Sequence, residues 1–536
     1  MDAEQLGTAQ EEIAKSYDDF PYESVPFPLS HPDRLATLGT LFGMKPPPVS
    51  SCRVLELGCA SGGNLIPMAC QLPGSEFLGM DLSANQVREG IKLIERLGLS
   101  NISLEHNDIL ALGDEIGKFD YIICHGVYSW VPEEVKDKIL ALCSGHLTRD
   151  GIAYISYNTY PGWHMREMIR NMMRYHVRQI DDTQTKVNQA RALLDFLSTS
   201  VPTEDNPYGL HIKHELEVLR DMGDHYIAHE QLGVCNTPVY FHQFAEHAMR
   251  HGLQYLAESE FSKMLANNLS SEVATTLEKI GGDIIQKEQY MDFVRNRYFR
   301  STLLCHKEQV LERSIDPGVI SKSHLAAQVE PQSEALNFES PTQDLFKDCN
   351  GGKEFNVMNP ITKVALILLN EAWPSSISFQ SLCEKALAKL DRSKDDEIYR
   401  QYESPERALM TDLMQCYTAN VVELRVCPVQ FVTEVSNTPA VTPLARCQAE
   451  AGHSITNQRH ERVVLIDFAQ HVIRFLDGQH DRQSLVDELM TLLDDGVLVM
   501  TDKGEKMEDQ VQARSNLQTL VDNILEQLPA RAILIA

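Results

Sequence analysis

Basic residues are scarce in this chain. Its 536 residues include 48 Lys and Arg against 76 Asp and Glu, a net charge of −28 with histidine neutral. Binding a phosphate backbone needs a basic footprint, so nucleic acid is not an expected partner. Long apolar runs are missing too: no stretch approaches the roughly eighteen residues of a membrane helix, so no membrane insertion is expected. The acidic start, Met1-Asp-Ala-Glu-Gln, does not read as a secretory signal. Twelve cysteines are scattered without a C-x-x-C pair. That pattern excludes a zinc ribbon, argues against a disulfide framework and fits a reducing, cytoplasmic compartment. His247 and His251 stand four apart as helix-borne ligands do, but H-E-x-x-H is absent and no cysteine completes a set. No metal is therefore expected.

What is present begins at Val54-Leu-Glu56-Leu-Gly58-Cys59-Ala60-Ser-Gly62-Gly63-Asn64. An apolar run ends in an acid, then small residues, and a helical segment follows. This is a buried strand feeding a turn where the backbone passes close to a ligand. A dinucleotide-binding turn would read G-x-G-x-x-G, whereas here the form is E-h-G-x-x-x-G with Ala60 at the middle position. Cys59 reads as a small filler of that turn rather than a nucleophile.

Further strand ends follow in order. The strand reaching Asp81-Leu82 carries an acid about twenty residues after the glycine turn, placed to accept two ribose hydroxyls. The next, from Ile102, has Asp108-Ile109 just past its end. A fourth runs from Phe119 into His125-Gly-Val-Tyr128-Ser-Trp130, and a fifth from Ile152 into Asn158-Thr-Tyr160-Pro-Gly-Trp163. Strands alternating with helical spacers for about 110 residues predict an α/β domain with a parallel, doubly wound sheet. Taken singly, Asp81 also reads as part of a helix cap, with Ser83, and Asp108 as a turn residue.

The motif and its companions resemble the class I S-adenosylmethionine (SAM) methyltransferases. The segment Tyr17–Thr37, the Gly-Gly-Asn at 62–64, His125–Pro132, Tyr157–His164, Tyr226–Glu230 and Tyr240–Phe244 are similar to one bacterial family within them. These are methyltransferases with a methyltransferase regulatory domain, including protein-lysine methyltransferases that act on an outer-membrane surface protein. The resemblance implies SAM as cofactor, held by Tyr17, Glu56, Gly58, Cys59, Ala60, Gly62, Gly63, Asn64, Asp81, Leu82, Asp108, Ile109 and His125. Asp108 would face the adenine amino group and Ile109 its ring. For a lysine acceptor, which an aromatic slot suits, we expect Tyr17 and Tyr22 as a lid, with Tyr128, Trp130, Asn158 and Tyr160 on the acceptor. Phe27, Tyr157 and Trp163 complete the aromatic set. His125 reads equally as base, cofactor contact or structural histidine. A protein substrate and a homodimer are further implications.

The expected organisation is a methyltransferase domain with its lid at 1–180, then a mainly helical domain at 181–345. A winged-helix-like domain at 346–436 and a helical or winged-helix-like one at 437–536 complete it. Residues 330–352 read as a linker. Three helical stretches between Ile361 and Tyr417, then extended Val421–Val426 and Gln430–Val435, suggest the first winged helix. It lacks a basic recognition helix, so protein docking is the better role. Arg166, Arg170, Arg174 and Arg178 form one helical stripe, read as a solvated face. The segment 225–244 is expected to pack on the catalytic mouth. Three functions remain open: a protein-lysine methyltransferase, a methyltransferase of a small metabolite or lipid, and a SAM-binding regulator without turnover.

Overall fold

The apolar runs at Val54–Leu57 and Tyr121–Cys124 are buried on both faces, as the central strands of a covered parallel sheet must be. The computed structural model describes residues 23–266, 269–333, 335–390, 404–502, 505–506 and 509–536. Tyr17 and Tyr22 lie outside them. The described residues divide into two compact units, one of Glu23–Val25 with Gly43–Leu311, the other of Pro26–Phe42 with Glu312–Ala536.

The first unit is built on a seven-stranded sheet of order β3-β2-β1-β4-β5-β7-β6. Its strands are β1 (Arg53–Leu57), β2 (Glu76–Asp81), β3 (Ile102–His106), β4 (Phe119–Cys124), β5 (Leu147–Asn158), β6 (Leu253–Glu258) and β7 (Phe299–His306). β1 to β5 are mutually parallel; β7 runs antiparallel between β5 and β6. The order reverses between β1 and β4, and such a switch point opens a crevice at the strand ends. Ser83 caps the helix Ala84–Leu97, and Gly98 in the left-handed region ends it.

The expected boundary at residue 180 is therefore corrected. β6 and β7, from the region read as helical, complete the same sheet, and the helices from Gly162 to Arg220 are an excursion between β5 and β6. That excursion has its own core of Ile169, Met173, Val187, Leu194, Ile212 and Ile227. β7 is fastened by a buried ionic cluster in which Arg300 meets Asp292, Glu258 and Glu288 at 2.8–2.9 Å.

In the second unit, the supposed linker at 330–352 is a correction: β9 (Val329–Pro331), β10 (Asp344–Asp348) and β11 (Glu354–Val357) pair as an antiparallel sheet. The helices Pro360–Ala372, Phe379–Leu390 and Pro405–Thr418 follow as expected. A small sheet of β12 (Ile377–Ser378), β8 (His324–Ala326) and β13 (Glu423–Arg425) accompanies them. No strand forms at 430–435, because Val429 and Phe431 give their amides to the Ser376 and Ser375 hydroxyls instead of a ladder. Pro26–Phe42, expected with the catalytic domain and carrying Phe27, groups here. Its Asp33 meets Arg425 at 3.2 Å and accepts from the Cys427 amide. The last hundred residues pack four helices around Val472, Leu476, Leu489, Leu517 and Val521.

Candidate active site

The loops after β1 to β5 gather at one edge of the sheet. The glycine turn after β1 reaches β2, where the Ala60 amide donates to Asp81 Oδ2 at 2.8 Å. Asp81 Oδ1 accepts from the Ser83 amide at 2.8 Å, so both carboxylate oxygens are aimed by the backbone. Burial raises its pKa, and the Ser83 and Ala60 amides oppose the rise. His106, ending β3, bonds the Leu82 carbonyl at 3.0 Å. Asp108 accepts from the Leu110 amide and caps the short turn at Ile109–Ala111, the turn role noted for it.

The glycines answer chiefly to the protein's own loops. A Cβ on Gly58 would lie 2.4 Å from Val127 in the loop after β4, and one on Gly63 would lie 2.1 Å from the Ser24 carbonyl. The Gly63 amide donates to Ser24 Oγ at 2.7 Å. Ala60 holds a left-handed φ of +51°, a conformation strained for a side-chain-bearing residue.

Glu56, next to last in β1, is almost wholly buried. Its Oε1 accepts from Asn64 Nδ2 at 2.7 Å, while Oε2 has no hydrogen-bond partner among the described residues. Burial pushes this carboxyl up to about 7, against the Asn64 hydrogen bond. An orphaned buried carboxylate oxygen at a strand-end crevice fits a cationic, hydrogen-bonding ligand group. Cys59 is buried and its thiol pushed well up, consistent with a filler.

His125, just past β4, bonds Tyr154 Oη at 2.9 Å, and burial lowers its pKa to about 4. It is a neutral imidazole at ordinary pH. The Gly126 amide donates to Ser156 Oγ, tying this loop to β5.

Of the aromatic set expected around the acceptor, Tyr128, Tyr157 and Trp163 are corrected to core positions. Tyr128 is in the core: its ring meets Phe244 edge-on and its hydroxyl bonds His247 Nδ1 at 2.9 Å. Tyr157 stacks on Phe244 with its hydroxyl on Thr302, and Trp163 is 1 % exposed. Trp130 is half-buried and edge-on to Trp163. Asn158 is buried, with its amide side chain on Asn236 at 3.2 Å. Tyr160 remains partly open; it stacks on His164 at 3.9 Å, bonds Glu167, and is pushed up to about 12 by burial and that carboxylate.

Part of the segment 225–244, expected at the catalytic mouth, completes the edge. Thr237 donates to the Ser129 carbonyl, Val239 to that of Asn158, and Tyr160 to that of Val239. The segment 236–240 thus stitches the loops after β4 and β5, and Tyr240 joins Tyr160 and His164 in one aromatic group. The arginine stripe is corrected as well. Arg170 is buried and donates to the Gln231 and Gly233 carbonyls, and Arg166 lies over the Tyr298 ring near Glu215; only Arg174 and Arg178 are exposed.

Three family models match: a methyltransferase domain at 54–151, a predicted methyltransferase regulatory domain at 223–306 and a PKMT C-terminal winged helix domain at 437–533. An uncharacterised protein of Rickettsia prowazekii is 36 % identical over 97 % of this chain and 93 % of its own. The structure of PKMT2 from Rickettsia typhi in complex with AdoHcy is 31 % identical, covers 96 % of this chain and all of its own, and superposes with a TM-score of 0.85. No helix among the described residues is long and apolar enough to cross a membrane. The chain belongs to the family of SAM-dependent methyltransferases that join a methyltransferase domain to a methyltransferase regulatory domain and a PKMT winged helix.

Proposed function

We propose that this chain methylates lysine side chains of a protein substrate. The observation that carries the reading is its full-length likeness to PKMT2, which extends through the C-terminal winged helix. SAM supplies a methyl group already activated on its sulfonium. The chain's residues have to hold it, orient an amine and exclude water, and alignment alone lowers the barrier by several kcal/mol.

Glu56, oriented by Asn64, is assigned the cationic amino end of the cofactor, and Asp81 the ribose hydroxyls. Asp108 and Ile109 are assigned the adenine, with Leu82 and the turn Gly58–Gly63 forming the floor. Neutral His125 serves as a positioned hydrogen-bonding group on the Tyr154 hydroxyl rather than as a strong base. A lysine, with an ordinary pKa near 10.4, has to lose its proton before attack, and a partly apolar aromatic slot favours that loss. Tyr160, Trp130 and Asn158 are the acceptor-side residues, and Tyr240 and His164 extend that face. Residues 312–536 are assigned to substrate positioning, and the compartment is the bacterial cytoplasm.

The test uses a protein fraction that accepts methyl from SAM. Acetylating its lysines beforehand is expected to abolish transfer. Transfer that survives acetylation would assign a different acceptor group.

A further inference from the structure

Three side chains from two neighbouring chain segments converge on one point. Asp137 lies on the helix Glu133–His146; His247 and His251 lie in and just after the last turn of the helix Phe241–Arg250. His247 Nε2 is 3.0 Å and His251 Nε2 2.7 Å from the same oxygen, Asp137 Oδ1. The three ligand atoms lie within 4.8 Å of one another.

We infer that Asp137, His247 and His251 form a binding site for a divalent transition-metal ion of the Zn²⁺ class. Two imidazole nitrogens four residues apart at one helix end, plus one carboxylate oxygen, are a donor set that suits zinc, cobalt or nickel rather than magnesium or calcium. Ligands of a tetrahedral zinc site stand roughly 3.3 Å apart, given bonds of about 2.0–2.1 Å. The two histidine-to-carboxylate separations, 3.0 and 2.7 Å, need to widen by roughly 0.3 and 0.6 Å to reach it. Asp137 is exposed, which leaves the remaining positions to water.

The surroundings supply what an outer shell must. The Tyr128 hydroxyl meets His247 Nδ1 at 2.9 Å. Without an ion, both Nε2–H groups donate to Asp137, and the Tyr128 O–H donates to His247 Nδ1. With an ion, the Nε2 lone pairs turn to the metal, His247 Nδ1–H donates and the hydroxyl accepts. A hydroxyl serves either role, so the tautomer changes without moving the rings. Lys136 also faces this region, but its ammonium is held 2.6 Å from Glu133 Oε1, leaving the Asp137 charge for the ion. An ion here ties the helix after β4 to the helix that leads into β6. Through Tyr128 it braces the loop carrying His125 and Trp130. The sequence showed the histidine pair but not its third ligand, which comes from 110 residues earlier.

The test takes full-length protein stripped with a chelator and adds Co²⁺, then Zn²⁺. Expected are one Co²⁺ per chain with a visible ligand-field band, displacement by one Zn²⁺, and a higher melting temperature with Zn²⁺. His251→Ala and Asp137→Asn each are expected to weaken Zn²⁺ binding by about tenfold or more, and Tyr128→Phe by about tenfold through the outer shell. Retained binding of AdoHcy certifies that each variant is folded; Asp137→Asn, at an exposed position, serves if His251→Ala is not. Equal Zn²⁺ affinity in wild type and a folded ligand variant, or Co²⁺ uptake without the band, would overturn the site and leave a hydrogen-bonded cluster.

Discussion

Asn64 Nδ2 holds one oxygen of Glu56 at 2.7 Å, and the other oxygen is buried without a hydrogen-bond partner among the described residues. This relationship ties β1 to the start of the helix Leu65–Gln71 and leaves the second carboxylate oxygen free to accept from a ligand.

The pH dependence of cofactor binding follows from it. With its pKa raised to about 7, Glu56 is largely protonated at pH 6 and ionised at pH 8. Pairing with a cationic group requires the ionised form, so SAM affinity is expected to rise across that interval and to flatten in Glu56→Gln. Calorimetry at the two pH values checks it. For the free protein the sign is opposite: the folded state holds the extra proton between about 4.5 and 7, so this group's contribution to stability falls as pH rises. Glu230, raised to about 8, acts in the same sense, so the Glu56 share is the difference between wild type and Glu56→Gln.

Asp81→Ala is expected to weaken SAM binding roughly tenfold or more, about 1.4 kcal/mol. The substitution removes the assigned ribose acceptor and also frees the Ala60 and Ser83 amides. Unchanged affinity by calorimetry would remove Asp81 from the cofactor site.

Ala60 pays a backbone strain that glycine avoids, since φ is +51°. Relief of about 1 kcal/mol is offset by the greater freedom of glycine in the unfolded chain. Ala60→Gly is expected to keep stability within about 1 kcal/mol and to bind SAM normally. A β-branched residue fits this conformation poorly, so Ala60→Val is expected to lose both binding and melting temperature.

Arg170 and Arg174 separate a buried role from an exposed one on the same helix. Arg170→Ala orphans the Gln231 and Gly233 carbonyls and is expected to cost about 2–3 kcal/mol in denaturant unfolding. Arg174→Ala is expected to stay within about 0.5 kcal/mol.

How much of this was legible in the sequence depends on what each segment satisfies locally. β1 to β5 are apolar runs closed by acids or turns, so their order and their strand-end residues could be read directly. β7 could not, because Arg300, Ser301 and Thr302 break its pattern; Arg300 is matched by Asp292, Glu288 and Glu258, and the Ser301 and Thr302 hydroxyls by Tyr154 and Tyr157. β10 hid for a similar reason, its buried Asp344 being paired by Lys363 from a later helix. Tyr128 and Tyr160 look alike as strand-end aromatics. What sends one into the core is His247, 119 residues on, which no local pattern announces.

The most direct measurement is transfer of radiolabelled methyl from SAM into a cell extract, split into protein and small-molecule fractions, with Asp81→Ala in parallel. The account predicts label in protein, recovered as methyl-lysine after acid hydrolysis and strongly reduced in the variant. Label confined to small molecules, or equal in the variant, would contradict it.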